Sequence, residues 1–161
     1  DIHLDLNKMK EELGNEYIIL LRMHFLISNK IKLDEQLEDF VWNVSDYHEI
    51  QELLLISDIL ITDYSSVMFD FANTRRPIIF YTFDLHDYKD NLRGFYMDFE
   101  NEAPGPLVSD SEEVIKSIKN IKTIMNDYND KYEKFYNKYC YLEDGNAAKR
   151  LVDMLLLNNS K

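Results

Sequence analysis

The sequence predicts an α/β fold, a mainly parallel sheet flanked by helices, on three observations. Short apolar runs alternate with stretches of helical period. The strand-plus-helix unit recurs about every 20–30 residues, the length of a βαβ step. The runs are near-continuous rather than alternating, which marks strands buried on both faces. A chain of 161 residues is long enough for one such domain with its own core.

The elements follow in order. Leu4, Leu6, Met9 and Leu13 recur at helical spacing, and Gly14 ends that helix. Residues 17–23 (YIILLRM) form the first strand and residues 40–44 (FVWNV) the second. Residues 48–56 (HEIQELLLI) read as a short helix and 58–62 (DILIT) as the third strand. A helix over 66–73, a fourth strand over 77–82 (PIIFYT) and a short fifth strand at Val108 complete the alternation. From Ser111 the period turns helical. Ser111 with Glu113 reads as a capped start, and Val114, Ile118, Ile121 and Met125 form one stripe. Tyr128, Tyr132, Tyr136 and Tyr139 repeat about every four residues. Such a stripe reads as packing, a helix docked on a neighbouring lobe. Gly145 breaks it, and residues 147–157 form a last helix. The start has no Met and a helical pattern already under way, so a fragment of a longer protein is expected.

Composition narrows the function. The formal net charge is -12, from 18 Lys+Arg against 30 Asp+Glu, which disfavours bulk binding of nucleic acid. A local anion site remains open, because backbone N–H groups and a few basic side chains bind phosphate against the global field. The single cysteine, Cys140, excludes an internal disulfide and a Cys-built zinc site, so a reduced cytosolic setting is expected. Neither a membrane-spanning apolar run nor a signal peptide is present in the sequence. No carboxylate cluster suggests a metal site, so neither metal nor cofactor is expected.

In parallel sheets ligands bind outside the carboxyl ends of the strands. That rule selects Arg22-Met23-His24, Val44-Ser45-Asp46-Tyr47, Thr62 to Ser66 and Tyr81 to Asp84. Thr62-Asp63-Tyr64-Ser65-Ser66 is the clearest: a buried strand ends in a polar turn and a helix begins at or near Ser65-Ser66. Two hydroxyls, the unpaired N–H groups of the first turn and the helix dipole make a phosphate cradle, although either Asp63 or Ser65 could serve only as a cap. Asp70, about one turn further on, could accept hydrogen bonds from a ribose or stand as a solvated helix residue. Strand alternation puts Arg22 and His24 on one side, suited to phosphate oxygens and to a proton donor for a leaving phosphate, although His24 could equally be a strand-end histidine satisfied by a backbone carbonyl. His3, His48 and His86 read as surface or structural. Arg75-Arg76, at the amino end of a strand, read as solvated. Residues 83–94 read as a loop over the strand ends.

These residues resemble a known family. LLISDILITDYSSVMFDFANTRRPIIFY, the spaced LRGFYMDFENEAPGPLV and the early LLRMH are similar to the CDP-glycerol glycerophosphotransferases, which include polymerases of poly(glycerol phosphate) teichoic acid in Gram-positive bacteria. The resemblance runs from about Tyr17 to Ser109 and more loosely to the end. It implies a GT-B-like enzyme of two Rossmann-like lobes, with residues 1–161 as the carboxyl-terminal, donor-binding lobe. The helices from about 111 to 158 would pack on that lobe and towards a missing amino-terminal lobe. Arg22, Met23 and His24 match the family's R-x-H element, with His24 catalytic or phosphate-stabilising. Ser65 and Ser66 match its phosphate-binding serines, and Asp70 its ribose-facing carboxylate. The Ser45-Asp46-Tyr47 loop would sit near the cytosine. The implied reaction moves glycerol phosphate from CDP-glycerol to a lipid-linked chain and releases CMP. It would run at the cytoplasmic face of the cell membrane, with peripheral membrane contact and a second essential histidine in the other lobe. This lobe alone would be inactive. A donor lobe of another GT-B sugar-nucleotide transferase or epimerase, and a non-catalytic interaction domain, are the rival readings.

Overall fold

The computed structural model describes residues 3–23, 34–84 and 97–157. Helix α1 (Leu6–Leu13) leads into strand β1 (Ile19–Leu21), and a single 3-10 turn (Glu35–Leu37) precedes β2 (Val41–Asn43). Then come α2 (Ile50–Ile56), β3 (Leu60–Thr62), α3 (Val67–Ala72), β4 (Ile78–Tyr81), α4 (Phe99–Glu102) and β5 (Leu107–Val108). Helices α5 (Ser111–Lys119), α6 (Ile121–Asp127), α7 (Asn129–Tyr139) and α8 (Ala147–Leu157) follow. Among the described residues the ladders form two groups, β1-β2 and β3-β4-β5, and every pair is parallel. The fold is α/β, as the sequence predicts.

Burial on both strand faces has a direct structural cause. Along β4, Ile79 joins one core with Met9, Leu13, Val41, Val114 and Ile118. Its neighbours Ile78 and Phe80 join a second core with Phe71, Phe99 and Phe135. One strand thus feeds two cores by period-two alternation, with α1 and α5 on one face and α3, α4 and α7 on the other. Partly buried Ile19 and Leu21 of β1, Ile59 just before β3 and Ile61 within it all pack against the first core, so the two ladders share it.

Several details differ from the sequence reading. The cap before α5 is Asp110, whose carboxylate accepts from the Glu113 N–H at 2.9 Å, while the Ser111 hydroxyl accepts from the Asp5 N–H at 2.8 Å and ties α5 to the start of α1. The stripe from Val114 to Met125 does not lie on one helix. Asn120 breaks it, with its side-chain amide donating to the Lys116 carbonyl at 2.8 Å, and Met125 ends up exposed. Arg75 and Arg76 are engaged rather than merely solvated. The Arg75 guanidinium pairs with Glu133 at 2.5 Å and lies 3.5 Å from the Tyr136 ring centroid. Arg76 donates to the Leu55 and Ser57 carbonyls at 2.6 and 2.7 Å.

The tyrosine stripe packs against this chain's own second core. Tyr132, Tyr136 and Tyr139 surround it, and the Tyr132 hydroxyl donates to the Arg76 carbonyl at 2.7 Å. Cys140 is buried there, and burial pushes its thiol pKa up. Glu102 closes this layer by accepting from Lys138 at 2.7 Å and from the Tyr139 hydroxyl at 2.6 Å. Those bonds, Lys138 first, hold its carboxyl below the ordinary glutamate range. A lowered folded-state pKa contributes stability above the unfolded value and loses it as pH falls through the folded one. Glu102→Gln is therefore expected to be less stable than the parent at neutral pH, with a gap that shrinks as pH drops through the carboxylate range. Urea midpoints measured across that range check this, and a gap that stays constant with pH would contradict it.

Candidate functional site

Because all the ladders are parallel, the exits of β1, β2, β3 and β4 lie at the carboxyl edge of their sheets. At the β3 exit the turn is built by its own side chains. The Asp63 carboxylate accepts from the Ser65 N–H at 3.0 Å, and the Ser65 hydroxyl accepts from the Val67 N–H at 3.4 Å. Ser66 occupies the N-cap position with helical angles, φ -61 and ψ -12, and its side chain makes no capping bond. Ser65 and Ser66 are both exposed at the start of α3, where the helix dipole favours an anion. Asp70 lies in the first turn of α3 and is exposed.

Tyr64 supports this turn from beneath. Its ring meets Phe99 edge-on at 5.5 Å between centroids, and its hydroxyl donates to Asp84 at 3.1 Å. The β3 and β4 exits are thereby tied together. The sequence placed Tyr64 in this turn but gave it no role, because its partner lies 20 residues away on another loop. His3 also lies near the β4 exit. It is exposed, stacks on Phe83 at 4.3 Å, and its carbonyl accepts from the Tyr81 hydroxyl at 3.1 Å.

At the β1 exit, Arg22 turns towards the neighbouring strand. Its Nη1 donates to the Tyr47 carbonyl at 2.6 Å and to the Val44 carbonyl at 3.4 Å. The Met23 N–H donates to the Ser45 hydroxyl at 3.0 Å. The Tyr47 hydroxyl bonds Glu52 of α2, and that bond pushes the phenol pKa up. His24 lies outside the described residues, as do His86, the 93–96 RGFY element and the remainder of the loop over the strand ends.

The structure therefore brings Ser65, Ser66 and Asp70 onto one turn and helix, and Arg22 and Met23 onto the β1 exit of the same fold. Two clefts among the described residues lie elsewhere. One of about 70 Å³ sits between Arg75, Ile78, Tyr128 and Tyr132, at the opposite end of β4. Another of about 370 Å³ lies between Leu13, Tyr17, Ile118 and Thr123, beside the entry to β1. Among the described residues, no His, Cys, Asp and Glu side chains gather into a group that could hold a metal ion, and no helix is long and apolar enough to cross a membrane.

Residues 1–157 match the family model described as CDP-Glycerol:Poly(glycerophosphate) glycerophosphotransferase. The chain is 49% identical over 153 residues to the teichoic acid poly(glycerol phosphate) polymerase of Bacillus subtilis, covering 95% of this chain and 20% of that protein. It is 47% identical to the teichoic acid glycerol-phosphate transferase of Staphylococcus aureus, covering 96% of this chain and 39% of that protein. Among solved structures, the wall teichoic acid polymerase TagF soaked with CDPG superposes with a TM-score of 0.87 at 42% identity, covering 95% of this chain and 38% of that one. The chain thus spans well under half the length of these relatives.

Proposed function

The chain belongs to the CDP-glycerol:poly(glycerophosphate) glycerophosphotransferase family, and from that premise we propose that it supplies the donor-binding half of a two-lobe enzyme. That enzyme transfers glycerol phosphate from CDP-glycerol to a lipid-linked teichoic acid chain. The observation that carries this reading is the β3 exit, where two exposed serines open α3 at the carboxyl edge of a parallel sheet. Family membership supports the donor, and the gradient of similarity supports glycerol over ribitol. Relatives named for glycerol phosphate reach 54% identity, whereas one named for ribitol phosphate reaches 38%.

The roles follow from the chemistry. Ser65, Ser66 and the first N–H groups of α3 hold the diphosphate, where hydroxyl and amide donors meet a full negative charge. Asp70 accepts from the ribose hydroxyls. Arg22 uses Nη1 on the two loop carbonyls, and a guanidinium has five N–H donors in all, so its Nη2 and Nε can face phosphate. The acceptor hydroxyl gives its proton to a base of the amino-terminal lobe and attacks the phosphorus that carries glycerol, and the bond to the bridging oxygen breaks. CMP leaves, and His24 gives a proton to, or stabilises the charge on, its phosphate. No step calls on a metal or cofactor.

The rest of the enzyme completes the site. The whole 1–161 chain is one lobe, with the helices from residue 111 onwards packing on it and reaching towards an amino-terminal lobe. Leu151, Val152, Met154, Leu155 and Leu156 of α8 are more than half exposed, which supports that second contact. The amino-terminal lobe brings the acceptor and the peripheral contact with the cytoplasmic face of the membrane. A donor lobe carrying a net charge of -12 is suited to standing away from anionic lipid.

Ser65→Ala combined with Ser66→Ala in the two-lobe protein tests this. The expected result is a KM for CDP-glycerol raised by about 10²–10⁴-fold, since each of the two hydrogen bonds to a charged group contributes about 1.5–3 kcal/mol. Stability should fall by only about 1 kcal/mol, the worth of a cap. A KM within about twofold of the parent with only stability changed would leave the serines as caps and the reading without support.

A further inference from the structure

Resting on the reading of the β3 exit as the diphosphate site, we propose that Tyr64 is a positioning residue for Ser65 and Ser66, acting through the bond from its hydroxyl to Asp84. The turn that carries the serines fixes its own shape but not its place. The Asp63 carboxylate and the Ser65 hydroxyl each accept from an N–H two residues on, so both bonds stay between residues 63 and 67. The β3-β4 ladder ends below them, at Thr62 and Phe80. Tyr64 reaches out of the turn towards β4 at two heights. Its ring meets Phe99 edge-on at 5.5 Å, and the buried Phe99 meets Phe80 edge-on at 5.1 Å. Its hydroxyl donates to Asp84 at 3.1 Å, just past the β4 exit.

The two contacts do different things. Burial of the ring is non-directional, so a phenylalanine would fill the same place. The hydroxyl bond is directional, and it sets the tilt of the turn against β4. Asp84 is a firm anchor because the strand before it is held from its far side: Thr82 is buried, and its N–H donates to the Val108 carbonyl at 2.8 Å. Tilt matters to the serines. The Ser65 hydroxyl accepts from the Val67 N–H at 3.4 Å, which leaves its proton to be aimed outwards at a phosphate oxygen. A hydrogen bond weakens steeply once its angle falls below about 120°, so a turn that can rock loses donor strength at both serines together.

The experiment compares Tyr64→Phe, Asp84→Ala and Asp84→Asn with the parent in the two-lobe protein, reading kcat, KM for CDP-glycerol and KM for the lipid-linked acceptor. Tyr64→Phe keeps the ring on Phe99 and removes only the hydroxyl. It is expected to raise KM for CDP-glycerol about fivefold or more, lower kcat about threefold and leave KM for the acceptor within about twofold. A smaller folded fraction alone would lower kcat and leave both KM values as they are, so the KM rise is not a mark of stability. Asp84→Ala is expected to match Tyr64→Phe, and Asp84→Asn to stay within about twofold of the parent. Both remove the charge, so their difference isolates the oxygen that accepts from Tyr64. With Ser65→Ala and Ser66→Ala already in place, Tyr64→Phe is expected to add less than about twofold, because it acts through them. A rise in KM for CDP-glycerol below about fivefold for Tyr64→Phe, an Asp84→Asn as impaired as Asp84→Ala, or an undiminished effect without the serines would overturn the proposal. If the serine pair itself leaves KM unchanged, the donor reading has failed and this inference with it; if the pair raises KM and Tyr64→Phe does not, this inference alone has failed.

Discussion

His24→Ala in the two-lobe protein is expected to lower glycerol phosphate transfer by about 10²–10⁴ while leaving KM for CDP-glycerol within about threefold. Charge is the reason. As the bond to CMP breaks, its phosphate gains negative charge that water cannot reach in a closed site. On the proposed reading, Ser65, Ser66 and Arg22 would donate to the ground-state diphosphate as well as to the leaving group. Their loss therefore raises KM along with lowering kcat. A proton, or a full positive charge, that arrives only as the bond breaks acts in the transition state alone. His24 directly follows Met23, whose N–H is held at the β1 exit by Ser45. A kcat for His24→Ala within about fivefold of the parent would remove His24 from the chemistry.

Gly105→Ala is expected to cost about 3–5 kcal/mol of stability. A Cβ at Gly105 would stand 1.8 Å from the Ile78 carbonyl oxygen and 2.9 Å from its carbon. Those atoms are β4 backbone, which cannot swing aside as a side chain can. Pro104 is fully buried, and the Pro106 carbonyl accepts from the Phe80 N–H at 2.9 Å, so the turn cannot back away without breaking the β4-β5 pairing. Both cores meet at β4, so the disturbance reaches each of them. Urea unfolding of Gly105→Ala against the parent measures it; a midpoint equal to the parent's would show that the turn is free to move.

How far the sequence could be read follows from where the determining interactions lie. The strands were legible because burial on both faces leaves uninterrupted apolar runs, as at residues 78–81. The turn at Asp63 to Ser66 was legible because its bonds span two residues and belong to side chains that favour such turns. The break at Asn120 was not. Ile121 and Met125 continue the apolar spacing, and only the Asn120 side chain turning back on its own helix interrupts it. Arg75 has φ 59, a left-handed conformation in a residue with no compositional mark for it; its ion pair with Glu133 and its seat on Tyr136 come from a helix about 60 residues later in the chain. The Arg22 contacts were hidden for the same reason. They run to backbone carbonyls 22 and 25 residues away, and a carbonyl leaves no trace in residue type.

If the carboxyl edge of this sheet is built for CDP-glycerol, the chain should bind that donor. The most direct test is calorimetric titration of the 161-residue chain with CDP-glycerol, CMP and UDP-N-acetylglucosamine. Binding of CDP-glycerol and CMP, without binding of the uridine nucleotide, is the predicted result. Equal binding of the uridine nucleotide would make this the donor lobe of a different transferase, and binding of none of the three would contradict the claim.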